Sequence, residues 1–300
     1  MAPRALWRRS SVRRAAQGWV FIGPVVLGVL AFNILPMLPT VYASFTYWDG
    51  LHPMEWIGLA NYQRALGGAD PNFKTGVVNT LLYMVGRVPF AMLTGLALAL
   101  IVNERLRGIT FVRALFYLPV VSSVVAVGVV WKWIFNWQYG LLNAILDVVN
   151  ITGPRWLSDQ NWAKVAVVIV AVWHVMGYNM VLFLAGLQGI PPALEEAAEI
   201  DGANAWQRLI HVKLPLLTPT VFFVAIMSVI ASFQVFNLIY VMTAGGPGTA
   251  TYVYVYHMWQ EGFNLHKFGY GAALAWMLFV VIAIVTWFQW KMSDRWVFYK

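Results

Sequence analysis

Six long apolar runs divide the chain, at about 19–45, 76–102, 112–135, 162–187, 216–243 and 268–290. Each has the roughly 20 residues that a helix needs to cross a hydrocarbon core, and each is too long for a strand. Backbone groups within a bilayer must be satisfied inside their own segment, so the runs read as helices. The expected fold is all-α: a polytopic membrane protein with six transmembrane helices. A basic arm (1–18) precedes the first run and a short tail (291–300) follows the last. The first run has the basic leader of a signal peptide. Its apolar length exceeds the roughly 7–15 residues of a signal core, so it reads as a retained span.

Composition sharpens this picture. The chain is 60% hydrophobic and 11% charged, with a mean hydropathy of +0.67; a soluble domain carries about a quarter charged residues. There is no cysteine, which excludes disulfides, thiolate metal sites and a Cys nucleophile. The net charge of +8 does not call for nucleic acid, because the basic residues flank apolar runs. With the N-terminus inside, the cytoplasmic segments hold Arg4, Arg8, Arg9, Arg13, Arg14, Arg105, Arg107, Arg113, Arg208, Lys213, Lys291, Arg295 and Lys300, thirteen of the twenty. Arg64, Lys74, Lys132, Arg155, Lys164 and Lys267 fall outside or at interfaces, and Arg87 falls within a span. This bias places both termini of a multi-pass protein in the cytoplasm. Residues 188–215 then form a cytoplasmic loop.

That loop concentrates acid: Glu195, Glu196, Glu199 and Asp201, four of the chain's 12 acidic residues. Pro192 suits a helix start, "ALEEAAEI" continues it, and Gly202 suits a left-handed cap. Asn204 with Gln207 three residues on has the spacing of a capping box. The second helix carries Trp206, Leu209 and Ile210 on one side and is expected to end at Leu214-Pro215. The product is a short helix–turn–helix outside the membrane. A hairpin lying on the inner surface would be rich in Lys and Arg. An acidic one better fits a partner protein.

"EAA" at 196–198, Gly202, and "VKLP" at 212–215 resemble the EAA loop of ABC-importer permeases, with Val212 where that pattern has Ile. "DGA" at 201–203, "WQ" at 206–207, "LPLLTP" at 214–219, "TAGGPGTAT" at 243–251 and "GYGAALAW" at 269–276 are similar to the carbohydrate-uptake branch, of maltose and glycerol-phosphate type. The resemblance covers most of the chain and implies one six-span permease domain over 19–290. It implies that 188–215 forms coupling helices seated on a separate ATPase. In this reading Glu196, Ala197, Ala198, Asp201, Gly202, Leu214 and Pro215 carry the coupling, Glu196 as a docking charge and Gly202 as the turn. The implied partners are a second homologous permease, two ATP-binding subunits, an extracytoplasmic solute-binding protein, a sugar or polyol substrate and the bilayer, without nucleic acid. The chain has no G-x-x-x-x-G-K-[ST] phosphate loop, so it is expected to be non-catalytic and to bind no cofactor itself, ATP and Mg belonging to the partner.

Transport sites lie near mid-membrane among polar groups that lipid would not tolerate. The fourth run offers Trp173, His174, Tyr178 and Asn179, with His174 and Tyr178 on one face. The fifth offers Ser228 and Ser232, with Gln234 and Asn237 beyond. Such groups suit a sugar, and the resemblance puts Tyr178, Ser228 and Ser232 nearest to the family's contacts. They equally suit helix packing and interface anchoring. Arg87, about eleven positions into the second run, must face protein or water. It can meet an anionic substrate or line the pathway; the plainer reading is a structural cation bonded to carbonyls near Pro89 or paired to a second permease. The histidines at 52, 174, 211, 257 and 266 show no metal-ligand spacing with carboxylates. The outer segments 46–75 and 244–266 are the candidate surfaces for a binding protein.

Two rival classes predict different chemistry. An ion-driven carrier predicts carboxylates well inside the runs, and a membrane enzyme predicts a His, Asp or Glu cluster at one membrane face. The runs hold no such carboxylate, and no such cluster stands out.

Overall fold

The computed structural model describes residues 4–104 and 107–298, with side chains from Gln17 onward. Arg105 and Lys300, both counted toward orientation, lie outside the described residues, as do the side chains of Arg4, Arg8, Arg9, Arg13 and Arg14. By backbone contact the chain forms two units. Among the described residues, four helices are long and apolar enough to cross a membrane, and six spans result when each of two bent pairs is counted as one.

The first unit comprises Met1–Gly67 and Glu261–Met277. In it α1 (Arg4–Val29) continues into α2 (Leu35–Ser44) through a π-helical turn, Leu30–Ile34. The Leu35 N–H reaches back five residues to the Leu30 carbonyl. The wide turn lies just ahead of Pro36, whose ring clashes in a regular helix and has no N–H to donate. None of the most apolar window of 17–44 is buried, and Phe21 and Phe32 are each 83% exposed. So much exposed apolar surface belongs against lipid or another protein. Strands β1 (Thr46–Tyr47) and β2 (Glu55–Trp56) pair antiparallel, and α3 (Ala60–Leu66) follows. Asn61 donates to the carbonyls of Ser44 and Thr46, at 2.9 and 3.0 Å. Glu261 accepts from Arg64 at 3.1 Å and Lys267 at 2.9 Å, so two cations share one buried carboxylate.

The second unit comprises Gly68–Gln260 and Leu278–Lys300. Its centre is the pair α4 (Pro71–Val102) and α8 (Gln160–Gln188). Asp70 caps α4, accepting from the Asn72 and Phe73 N–H groups, with Pro71 at the first turn, where no donor is lost. The buried stripe of α4 runs Thr80, Tyr83, Arg87, Ala91, Gly95, Ala99, at helical spacing. Small residues let the two backbones approach, as membrane helices require in place of a hydrophobic driving force. Asn179 Nδ2 then donates to the Ala91 carbonyl at 2.9 Å.

The third apolar run is not one straight helix. It is α5 (Ile109–Val121) and α6 (Val124–Ile134), bent by 97°. Pro119 removes a backbone donor, and the Ser122-Ser123 pair takes extended dihedrals between the helices. Pro and paired Ser are ordinary causes of a sharp kink. At 13 residues α5 spans only about 20 Å. Beyond the bend lies α7 (Leu141–Val148).

The hairpin expected at 188–215 is α9 (Pro192–Ile200) followed by α10 (Ala205–Arg208), a π-turn (Leu209–Lys213) and α11 (Leu214–Leu216). Here the structure corrects one expectation: the second helix runs through Leu214-Pro215 and stops at Leu217. The reason matches that in the first unit. Leu214 N–H bonds five residues back to Leu209 O, and the widened turn accommodates the proline. The chain then bends by 65° into α12 (Thr218–Phe233). That helix breaks at Gln234–Phe236 before α13 (Asn237–Met242), so the fifth run is also interrupted. Last come α14 (Tyr254–Trp259) and α15 (Phe268–Ser293), the latter passing from the first unit into the second.

Candidate functional sites: a helical hairpin and a polar cavity

The hairpin is closed by local chemistry. Gly202 has φ +83°, the left-handed region that favours glycine. Its N–H bonds Glu199 O at 3.0 Å, and the Ala203 N–H bonds Ala198 O at 2.9 Å, which together make a Schellman cap. Ala197 O accepts from Asp201 N at 3.0 Å. On the far side of the turn, Gln207 N donates to Asn204 Oδ1 at 2.9 Å and Asn204 N to Gln207 Oε1 at 2.8 Å, a complete capping box.

The four acids divide into two kinds. Glu195 pairs with Lys213 at 2.9 Å, and Glu199 pairs with Arg208; both ties cross from the first helix to the second. Glu196 and Asp201 are exposed and form no ion pair among the described residues. Beside them Ile200 is 86% exposed and Trp206 68%. Two carboxylates without a described ion pair and two bare apolar side chains have the chemistry that suits basic rims and apolar pockets on another protein. Ile200 is the member that the acid pattern did not reveal. Its signal was a large apolar residue directly before the Asp-Gly turn. Leu214 and Pro215 are half-buried and lie at the root of the hairpin, not on this surface.

The second site lies inside the second unit, where α12 breaks. A cavity of about 190 Å³ is lined by Tyr83 and Arg87 of α4, His174 of α8, and Gln234 and Asn237 at the break, with apolar walls from Val124, Ala171 and Phe236. Arg87 Nη1 reaches the last turns of α12, donating to Ser228 O at 3.1 Å and Ser232 Oγ at 2.8 Å. Ser232 Oγ also donates to Ser228 O at 2.7 Å. His174 Nε2 is buried without a hydrogen-bond partner among the described residues.

Of the residues expected along a pathway, the structure therefore gathers Arg87, His174 and Gln234 at one cavity. Ser228 and Ser232 are buried behind it, bonded to Arg87. Asn179 is turned away, holding α4. Tyr178 lies elsewhere although it is four residues from His174. Tyr178 is exposed and does not line the cavity, whereas the neighbouring Gly177 faces α5, where a Cβ would lie 2.0 Å from Phe116 O. Tyr83 was the residue missed; it stands one turn before Arg87 and therefore shares its face. Phe236 of the cavity wall is in ring contact with Tyr240, Tyr256 and Trp259, and these with one another, with centroids 5.1–6.5 Å apart.

Elsewhere, among the described residues, folding makes two His–carboxylate pairs that sequence spacing did not suggest. His257 Nε2 lies 3.0 Å from Asp70 Oδ2, both buried. Between α2 and α3 Asp49 accepts from the backbone and ring of His52. These bonds hold the Asp49 carboxyl well below the usual range and raise His52.

Comparison with known proteins agrees with this architecture. The family described as "binding-protein-dependent transport system inner membrane component" matches residues 88–297. A probable ABC transporter permease protein, YesP, of Bacillus subtilis (strain 168) is 35% identical, over 99% of this chain and 96% of its own length. The trehalose/maltose transport system permease protein MalF of Thermococcus litoralis is 35% identical, over 91% and 92%. The lactose transport system permease protein LacF of Rhizobium radiobacter is 32% identical, over 94% and 96%. Among solved structures, a chain of a bacterial ABC transporter involved in the import of the acidic polysaccharide alginate has the same fold. It superposes with a TM-score of 0.83 at 23% identity, covering 97% of this chain and 99% of that one. This integral membrane protein belongs to the family of binding-protein-dependent transport system inner membrane components.

Proposed function

We propose that the chain is the permease subunit of an ABC importer that moves a saccharide inward across the inner membrane, with both termini in the cytoplasm. The observation that carries this reading is the hairpin at 192–216. Its carboxylates are sorted into two that brace it and two that stand free beside Ile200 and Trp206. Glu196 and Asp201 meet basic groups on an ATP-binding subunit, and Ile200 and Trp206 enter its apolar cleft. Ala197 and Ala198 keep the helix face small and supply the carbonyls that close the turn at Gly202. Leu214 and Pro215 join the hairpin to α12, so displacement of the hairpin is passed to the helix that borders the cavity.

ATP and Mg bind to two such partner subunits, and this chain contributes no catalytic group. A second, homologous permease completes the pore, and an extracytoplasmic binding protein delivers the substrate. Several relatives are named for saccharide transport, and the cavity's mix of cation, imidazole, amides and aromatic walls suits a hydroxyl-rich ring. The interrupted fifth span fits this role, because irregular backbone at membrane depth is tolerated where it lines a cavity.

The test is reconstitution with the partner subunits in proteoliposomes, scoring ATPase stimulation by the loaded binding protein across a saccharide panel. Stimulation by at least one saccharide is expected, together with co-purification of the ATP-binding subunit. An assembled complex that no saccharide stimulates would sink the substrate reading.

A further inference from the structure

The cavity at the α12 break holds a positive charge that its own walls leave unanswered. Arg87 is 9% exposed and sits in the middle of α4. A guanidinium at that depth is costly unless it is paired or hydrated. Yet all 12 Asp and Glu residues lie outside residues 17–44, 71–102, 109–134, 160–188, 218–242 and 268–293. No membrane helix of this chain can offer Arg87 a carboxylate.

The bonds that Arg87 does make are neutral, and both use Nη1. Arginine has five donors in a planar fork; Nη2 and Nε bond no described residue, and the side chain lines the cavity. Across that cavity His174 also leaves Nε2 without a described partner. Gln234 and Asn237 complete the polar wall. A carboxylate or a phosphate can accept two parallel bonds from the open edge of a guanidinium, while a neutral hydroxyl leaves its charge unbalanced.

We propose that this cavity is an anion-selective subsite, so that the transported saccharide carries a negative group, carboxylate or phosphate, which Arg87 receives while Gln234, Asn237 and His174 bond its neighbouring oxygens. The proposal rests on the importer reading above and goes beyond it in assigning substrate charge to this permease chain. Charge selection here acts after delivery, separately from whatever the binding protein selects.

The experiment uses the full complex in proteoliposomes. Its binding protein is loaded in turn with a uronate-terminated oligosaccharide, the carboxyl-reduced neutral counterpart, and a sugar phosphate, and uptake is normalised to binding-protein occupancy. Arg87→Gln is expected to lower uptake of the uronate, the phosphate or both by about tenfold or more, and uptake of the neutral sugar by no more than about twofold. Gln234→Glu sets a carboxylate on the same wall without removing the Arg87 bonds. It should give the same selective loss, and it decides the matter if Arg87→Gln fails to assemble. The uronate and phosphate arms tell which anion the fork takes. Equal losses on neutral and anionic sugars, no loss on either, or wild-type uptake of the neutral sugar alone would overturn the proposal and leave the importer reading standing. A complex that no saccharide stimulates would remove both.

Discussion

Gly95 of α4 meets Asn179 of α8 so closely that a Cβ on Gly95 would lie 2.4 Å from the Asn179 Cβ and 3.2 Å from its carbonyl carbon. The obstacle is backbone and the root of a side chain, which cannot swing aside. Gly95→Ala should therefore push the two helices apart and strain the Asn179–Ala91 bond. Overpacking of this kind costs about 1–3 kcal/mol. A lowered thermal midpoint in detergent is the expected outcome. Gly58→Ala serves as a control of different kind, since nothing lies within 4 Å of that position and only its positive φ is disturbed. An unchanged midpoint for Gly95→Ala would mean that the contact is looser than the structure has it.

Glu196 and Glu199 stand three residues apart on one short helix and should behave differently. Glu199 braces the hairpin through Arg208, whereas Glu196 makes no described ion pair. Glu196→Lys should leave the hairpin's hydrogen exchange unchanged while abolishing co-purification of the ATP-binding subunit. Glu199→Lys should raise exchange across 195–210. If Glu196→Lys assembles and transports normally, the docking role assigned to this carboxylate is wrong.

The hairpin was legible in the sequence because its determinants are local. A proline start, a glycine turn and an Asn–Gln capping pair each act within four residues, so spacing alone reports them. The apolar runs were legible for a similar reason, since lipid demands length. What hydropathy does not record is where a run breaks. Ser122-Ser123 and Gln234–Phe236 lie in runs that read as continuous, because a hydropathy window averages over the proline and serines that break the first run and the short polar break in the second. The cavity was half visible. Arg87, His174 and Gln234 stood out as polar groups in apolar surroundings. That Tyr178 stays outside while Tyr83 joins depends on which helix faces α8 at each level, and only the assembled fold shows it.

Gly202→Ala tests the turn by itself. The position has open space around it, so the penalty comes only from the left-handed backbone. That penalty is about 1 kcal/mol. Assembly should survive and transport should fall modestly. Gly202→Pro cannot adopt a positive φ and also removes the N–H that bonds Glu199 O. It should abolish ATPase stimulation while the protein still inserts. Equal behaviour of the two variants would show that the turn geometry is not what couples the hairpin to the spans.

Asp70 works at both of its oxygens. Oδ1 caps α4, and Oδ2 meets His257 at 3.0 Å. Asp70→Asn keeps a capping oxygen but removes the charge that faces a fully buried imidazole. Asp70→Ala removes both functions, and the lost cap alone is worth about 1 kcal/mol. The alanine variant should therefore be the less stable of the two, and the difference should persist in a His257→Gln background, where the imidazole contact is already gone. The deficit of Asp70→Asn, in contrast, should shrink in that background, because cap and pair are separate terms and only the second is shared. A thermal-shift double-mutant cycle across these variants measures both. If Asp70→Asn loses as much stability in the His257→Gln background as it does beside the native His257, the carboxylate's role at this position is capping alone.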